Sequence, residues 1–223
     1  MLQATGYTIM RTLLLIDTNS LIHRCFHALP PLTGPDKQPT GALYGLASTL
    51  LKVIRELKPN FILAALDRPE PTFRHQEFEA YKAHRPKTPD DLVSQITEAH
   101  LLIEKFNIKI LEKPGFEADD IIGTIAEKAK KEKDVQVIIL SGDLDTLQAV
   151  ENEKVIVLIL KKGVSDTVFY NQEAVKERFE LEPEFLSDYK GLVVDPSDNI
   201  PGVKSICTKT DKRILKEFGN LED

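Results

Sequence analysis

An α/β domain with a mostly parallel central sheet flanked by helices is predicted by three features of this chain. Three apolar runs each finish on an aspartate: Leu13-Leu14-Leu15-Ile16-Asp17, Phe61-Ile62-Leu63-Ala64-Ala65-Leu66-Asp67 and Val137-Ile138-Ile139-Leu140-Ser141-Gly142-Asp143. Short, continuous apolar runs bounded by polar or turn residues read as strands buried on both faces, the pattern of a parallel sheet. Amphipathic helical segments alternate with them, and no internal repeat or low-complexity tract breaks the alternation. Ligands of such sheets lie beyond the carboxyl ends of the strands, so the three carboxylates are expected to converge on one crevice. A single strand-end aspartate is more simply a helix N-cap or turn acid. Three at equivalent positions repel one another unless a cation joins them.

The elements follow in order. Residues 1–9 precede Met10-Arg11-Thr12 and are expected to be an N-terminal extension or expression scar. Residues 18–39, with prolines at 30, 31, 35 and 39, are expected to be mostly irregular. Gly41–Leu57 reads as a helix whose apolar face carries Leu43, Leu46, Ala47, Leu50, Leu51 and Ile54. A second helix is expected over 91–106, through Leu92, Ile96, Ala99 and Ile103, and short strands over 108–111 and 155–160. Lys161-Lys162-Gly163 then turns into Val168-Phe169-Tyr170, Asn171 caps a helix to about Phe179, and 184–192 is helical. The organisation expected is an α/β core over 10–192, including a basic segment at 68–90, followed by a smaller element over 193–223.

Length and composition bound the alternatives. With 223 residues and 42% hydrophobic content, the chain can bury a substantial core as one domain or a domain with a small appendage. A formal net charge of −6 means that its whole surface is not a generic nucleic-acid magnet, although bound cations would neutralise part of that deficit. Cys25 and Cys207 sit far apart in different contexts, which suits a reducing compartment rather than a disulfide framework. No apolar run approaches membrane-spanning length and no signal-like segment opens the chain, so a cytoplasmic location is expected.

Further acids gather in short motifs. Glu117-Ala118-Asp119-Asp120 opens a helix to about Lys131, with Ile121, Ile122, Ile125, Ala126 and Ala129 on its apolar face. Acids in a first turn suit the helix dipole. Three in four residues exceed that need, and Glu117 and Asp120, three apart, share a face. Gly142-Asp143-Leu144-Asp145 and Asp195-Pro196-Ser197-Asp198-Asn199 repeat the pattern at turns. The candidate set is therefore nine carboxylates: Asp17, Asp67, Glu117, Asp119, Asp120, Asp143, Asp145, Asp195 and Asp198. No cysteine or histidine accompanies them in ligand spacing. An all-oxygen set suits hard ions, Mg²⁺ or Mn²⁺, and a set this acidic suggests two of them.

Between Asp67 and Asp91 the chemistry changes sign. Arg68, Arg74, His75, Lys82, His84, Arg85 and Lys87 are interleaved with Phe73, Phe78 and Tyr81. Cations among aromatics suit phosphate contacts and base stacking on single-stranded nucleic acid. The plainer alternative is a solvated amphipathic helix that packs the three aromatics on the domain. Position favours the first, because the segment leaves directly from an acidic strand end.

At these residues the chain resembles the bacterial 5′-nuclease family, the 5′–3′ exonuclease and flap-endonuclease domain found at the N-terminus of DNA polymerase I. The carriers are Leu14-Leu15-Ile16-Asp17, Phe73-Arg74-His75 and Tyr81-Lys82-Ala83-His84-Arg85-Pro86, then Pro114-Gly115-Phe116-Glu117-Ala118-Asp119-Asp120. Gly142-Asp143-Leu144-Asp145-Thr146-Leu147-Gln148 and Asp195-Pro196-Ser197-Asp198-Asn199-Ile200-Pro201-Gly202-Val203 complete the set in the same order. The resemblance implies a PIN-like fold with a helical arch and a C-terminal helix–hairpin–helix. It also implies hydrolysis of DNA at 5′ flaps, nicks or 5′ ends by two Mg²⁺ ions about 3.5–4 Å apart, with Mn²⁺ as substitute. Asp17, Asp67, Glu117, Asp119 and Asp120 would hold the first ion, and Asp143, Asp145, Asp195 and Asp198 the second. Lys82 and Arg74 would contact the scissile phosphate. Arg24, Tyr81, Arg85 and Lys87 are further DNA contacts on this reading. A monomer working in replication and repair beside a fused or cooperating polymerase, at the nucleoid and with no membrane partner, is the expected setting.

One motif departs from the family. The usual Gly-Ile-Gly-x-Lys-Thr-Ala of the hairpin is here Ser205-Ile206-Cys207-Thr208-Lys209-Thr210-Asp211. The lost glycines let backbone N–H groups approach a duplex phosphate, sometimes beside a K⁺ ion, so their absence disfavours that ion here. Lys204, Lys209 and Lys212 keep the element basic, and weaker duplex anchoring is expected. The family's domain usually continues past a segment like Phe218-Gly219-Asn220-Leu221-Glu222, so this element is expected to be truncated. Two other functions compete: a structure-specific DNA-binding module that no longer cleaves, and a PIN-like RNA nuclease.

Overall fold

The chain is described here by a computed structural model covering residues 10–163, 166–203 and 208–221. Six strands form one sheet: β1 (Arg11–Asp17), β2 (Phe61–Ala65), β3 (Lys109–Leu111), β4 (Val135–Ser141), β5 (Val155–Lys162) and β6 (Asp166–Tyr170). Their spatial order is β3-β2-β1-β4-β5-β6. The first five are mutually parallel, and β6 returns antiparallel to β5 through the turn at Gly163. Around the sheet lie α1 (Thr18–Ala28), α2 (Gly41–Leu57), α3 (Phe73–Glu77), α4 (Asp90–Lys105), α5 (Ala118–Ala129), α6 (Gln172–Phe179), α7 (Leu186–Leu192) and α8 (Thr208–Phe218). A 3-10 turn, Leu144–Ala149, follows β4.

Side chains alternate across each strand, and the alternation splits the core in two. Leu14 and Ile16 pack with Leu21, Leu46, Leu50 and Ile103 of α1, α2 and α4. Leu13 and Leu15 pack on the opposite face with Ile122 of α5, Leu147 of the 3-10 turn and Val175 of α6. Both faces are thus covered, which is why the strands read as unbroken apolar runs rather than alternating ones. A small satellite cluster, Leu181, Leu192 and Leu215, joins α7 to α8.

After β1 the chain builds outward through β2 and β3, then returns to lay β4 on the other side of β1 and continues to β5 and β6. The point of reversal therefore lies between β1 and β4, where a crevice opens at the strands' carboxyl ends. Ile16 pairs with Leu140 and Asp17 with Ala65, which brings the ends of β1, β2 and β4 to one level.

Three expectations need adjustment. Residues 18–39 are not mostly irregular: α1 occupies Thr18–Ala28 and only the remainder is loop and turn. Asp17 caps this helix, and Leu21, Ile22 and Cys25 bury its inner face. Thr, Asn, His and a free Cys have modest helix propensity, and packing overrides it. Second, β2 ends at Ala65, two residues before Asp67. Third, segment 68–90 is not one helix. It holds the five-residue α3 and a run of turns to Arg85, and Lys82 has a positive φ of 55°. The altered hairpin 205–207 and Lys204 lie outside the described residues, as do residues 1–9.

One buried polar side chain ties the helical layer together. Thr40 offers α2 no side-chain cap, yet Gln95, 1% exposed on α4, accepts hydrogen bonds from the Ala42 (2.8 Å) and Leu43 (3.3 Å) N–H groups. Its amide donates to the Asp91 carbonyl at 2.9 Å. Two orphan donors of α2's first turn are thereby satisfied from a neighbouring helix. Replacing Gln95 with Leu should strand those donors in the core and cost about 1–3 kcal/mol, read as a lower urea midpoint at unchanged m-value.

Candidate active site

Asp17 ends β1 and is 3% exposed. It survives burial because it is held by donors: Oδ1 accepts the Ser20 N–H (3.2 Å) and Oδ2 the Ser141 hydroxyl (2.7 Å) from the end of β4. Desolvation nonetheless outweighs those bonds and pushes its carboxyl above the usual range, with the Asp67 charge adding to the shift. Asp67 receives the Ala118 N–H at 2.6 Å, and its own N–H donates to Asn19. This fixes the start of α5, and hence Asp119, beside β1. Asp143 is placed by Gly142: a Cβ there would lie 2.9 Å from the Ser20 carbonyl oxygen and 3.2 Å from Arg24 Cβ. Only glycine lets the β4 turn approach α1 this closely.

Asp119 shows how crowded the ring is. By area it is exposed, but it lines the cleft beside Glu117 and Asp143. Burial, then the charges of Asp17, Asp143, Asp67 and Glu117, push its carboxyl up to about 8. Asp145 is also raised, by burial and by Asp143. Unrelieved repulsion of this kind is what an added cation removes, and the donor set is oxygen throughout. The residues present therefore fit divalent hard cations.

The remaining acids are already paired with protein cations. Arg74 grips Asp120 through two bonds of 2.8 Å. Burial alone would raise Asp120, but those bonds and the Glu117 N–H (2.9 Å) hold it below the usual carboxylate range. Lys82 Nζ lies 2.8 Å from Glu117, Arg85 2.6 Å from Asp198, and Lys190 2.7 Å from Asp145 and 3.4 Å from Asp195. Among the described residues no three acids converge tightly enough to form a finished ligand shell. Of the nine carboxylates, Glu117, Asp119, Asp143, Asp145 and Asp198 line one cleft, and five of the nine, Glu117, Asp120, Asp145, Asp195 and Asp198, are partnered by arginine or lysine.

The basic segment is fastened to the turn at Asp195–Ile200, which closes on itself by reciprocal backbone hydrogen bonds of 2.9 Å. The Lys82 N–H donates to the Asp198 carbonyl (3.0 Å), Asn199 donates to the Ala80 carbonyl (2.8 Å), and His84 bonds Asn199 (2.9 Å). The buried Tyr81 hydroxyl sits 3.2 Å from both Glu117 and Asp198, so its single proton serves one carboxylate at a time. Burial first, then these two anions, raise its pKa.

Not every expected nucleic-acid contact reaches this place. Arg24, Arg74, Tyr81, Lys82 and Arg85 line a cleft of about 930 Å³ together with Glu117, Asp119, Asp143, Asp145 and Asp198. Arg24 donates to the Lys161 carbonyl across the cleft wall. Lys87 is instead solvated and paired with Asp90, and Lys212 of α8 pairs with Glu180 at the end of α6. The side chain of Lys209 lies outside the described residues. Sequence reasoning missed Ser20, Ser141 and Asn19, which position Asp17 and Asp67, and Lys190, which bridges Asp145 to Asp195. No motif marks these residues; Lys190's place five residues before Asp195 was the only available hint.

An acid-rich, all-oxygen cleft at the switch point of a mostly parallel sheet is what this fold defines. Comparison with known proteins agrees. Residues 12–180 match the model of the 5′-3′ exonuclease, N-terminal resolvase-like domain. DNA polymerase I of Bacillus subtilis is 42% identical over 212 residues, covering 95% of this chain and 24% of that protein. The 5′-3′ exonuclease of Aquifex aeolicus is 38% identical over 214 residues, covering 96% and 72%. In fold, the chain is similar to the bacteriophage T5 D15 flap endonuclease complexed with DNA and metal ions (TM-score 0.75, 21% identity, 96% and 77% covered). It is likewise similar to T5 5′-exonuclease with divalent zinc (TM-score 0.76, 24% identity, 96% and 78% covered). The chain belongs to the bacterial 5′-nuclease family, and it spans about a quarter of the length of the DNA polymerase I relatives that it matches.

The crowding of Asp119 has a pH consequence in the metal-free protein. Unfolded, it loses its proton near its ordinary 3.8; folded, it keeps it to about 8. The folded state binds more protons between those values, so stability falls as pH rises through the window. The melting temperature in EDTA should drop from pH 5 to pH 9, less steeply in Asp119→Asn, and added Mg²⁺ should raise it far more at pH 8.5 than at pH 5.5.

Proposed function

We propose that this chain is a Mg²⁺-dependent 5′ nuclease that hydrolyses phosphodiesters of DNA at 5′ flaps, nicks and 5′ ends. The observation that carries the reading is the ring of repelling carboxylates at the β1–β4 crevice with a basic segment fastened directly to it. Asp17, Asp67, Glu117, Asp119 and Asp120 would hold one ion, and Asp143, Asp145, Asp195 and Asp198 the other, with Mn²⁺ as a substitute. Ions bound there supply an activated water and charge neutralisation at the leaving oxygen.

The chain's own residues supply the rest. Lys82 and Arg74 stand one ion pair away from the ring and can exchange Glu117 and Asp120 for the non-bridging oxygens of the scissile phosphate, where negative charge develops. Tyr81, stacked edge-on against His75 at 5.2 Å, keeps the Lys82 turn against the Asp198 turn. Arg85 and Arg24 then face the strand on either side. Relatives that are DNA polymerases support a partnership with a polymerase, fused or separate, at the nucleoid.

A second reading, a DNA-binding module without turnover, is favoured by one observation: five ring acids are neutralised internally by Arg74, Lys82, Arg85 and Lys190. Turnover separates the two. A labelled 5′-flap duplex should be cut in Mg²⁺ and not in EDTA. Asp143→Asn should slow cutting by about 100-fold or more, and Lys82→Ala by about 100- to 1000-fold, chiefly in kcat. A flap that is bound but never cut would install the second reading, and preference for single-stranded RNA over the flap would install a PIN-like RNA nuclease.

A further inference from the structure

The cationic side chains that line the cleft differ in their partners, and Arg24 is held by the Lys161 carbonyl. Arg74, Lys82, Arg85 and Lys190 are each engaged by ring carboxylates. Arg178, in the last turn of α6, is different. Its guanidinium donates to the Tyr170 hydroxyl at 2.8 Å and lies 5.8 Å from the Tyr170 ring centre and 5.6 Å from that of Phe179. Among the described residues it forms no ion pair, in a chain where acids outnumber bases. Yet Arg178, Tyr170 and Phe179 line the same cleft as Asp119 and Asp143.

Sheet order fixes where this end of the cleft lies. The basic segment follows β2, whereas Tyr170 ends β6, and β1, β4 and β5 stand between them. At about 4.8 Å per strand, the interval is of the order of several nucleotide phosphates. An exposed arginine oriented by one hydroxyl and two aromatic faces loses little freedom on binding, and its planar fork suits a phosphate. Tyr170 leaves donor positions of the guanidinium open, because it takes only one of five.

We infer that Arg178, oriented by Tyr170, is a positioning residue that takes a backbone phosphate of the bound DNA on the side of the carboxylate ring opposite the basic segment. The inference rests on the nuclease reading above. It assigns the cleft two cationic walls: one whose charges must be exchanged from carboxylates, and one whose charge stands ready before DNA arrives. Contact with phosphate carries no sequence information, so its contribution is to register and affinity.

The test measures binding of a fluorescent 5′-flap duplex across a KCl series in Mg²⁺, in an Asp143→Asn background that leaves the DNA intact. Flap cutting by the wild-type chain is followed alongside. Removing one phosphate contact should shrink the slope of log K against log [KCl] by about 0.9 in Arg178→Ala and weaken binding about 5- to 10-fold at low salt. Arg178→Lys should restore the slope, and Tyr170→Phe should keep it while weakening binding. In the active chain, Arg178→Ala should raise KM with kcat unchanged within about twofold. Unchanged slope and affinity in Arg178→Ala, or in Arg178→Gln should the alanine variant melt early, would overturn the inference. So would a loss confined to kcat. Wild-type flap cutting reports separately on the nuclease reading, so the two can fail independently.

Discussion

Everything in this site depends on burying one carboxyl group, Asp17, at the end of the central strand β1. A carboxylate at 3% exposure is costly unless its oxygens are met by donors. Here the donors are the first turn of α1 and the Ser141 hydroxyl on the neighbouring strand. The arrangement couples β1 to β4 at the point where the sheet reverses direction. Gly142 then permits the β4 turn to close on α1, and the Asp67–Ala118 bond sets α5 against the same edge. Each of these contacts is ordinary taken singly. Together they hold Asp17, Asp67, Asp119 and Asp143 near enough to repel, and the rest of the molecule must bear that repulsion.

The protein bears it partly with its own cations. Arg74, Lys82, Arg85 and Lys190 sit on acids of the ring, while burial and neighbouring acids drive Asp17 and Asp119, and also the Lys190-paired Asp145, towards the protonated state. In a chain of net charge −6, these pairs place arginine and lysine charge directly beside the acids of the cleft. On the nuclease reading proposed above, the same cations that pair with the ring would be the ones to meet phosphate.

The basic segment has little regular structure of its own, and what orders it is distant in sequence. Residues 80–85 are pinned to Ser197, Asp198 and Asn199, more than 110 positions away. Positive φ at both Lys82 and Asn199 lets the two turns present backbone groups to each other. Pairing of a loop with a turn, rather than helix formation, is therefore what brings Tyr81 and Lys82 over Glu117.

Much of this protein was legible in its residues. Buried parallel strands require unbroken apolar runs, so β1, β2 and β4 and the sheet's parallel character could be read directly, as could α2, α4, α5 and the Asn171 cap of α6. The acids at strand ends also pointed to a crevice at the strands' carboxyl ends, where five of the nine candidate acids line a cleft. Helix α1 was not legible, because several of its residues are modest helix formers and its packing against α2 and α4 over the sheet is what stabilises it. Nor were Ser20, Ser141, Gln95, Lys190 and Arg178: hydrogen bonds and ion pairs between distant positions leave no periodicity in a single sequence. Composition and local pattern determined which chemistry the chain carries. Tertiary structure alone decided which acid meets which cation, because charge pairing depends on distance in space, and the sheet's reversal between β1 and β4 sets those distances.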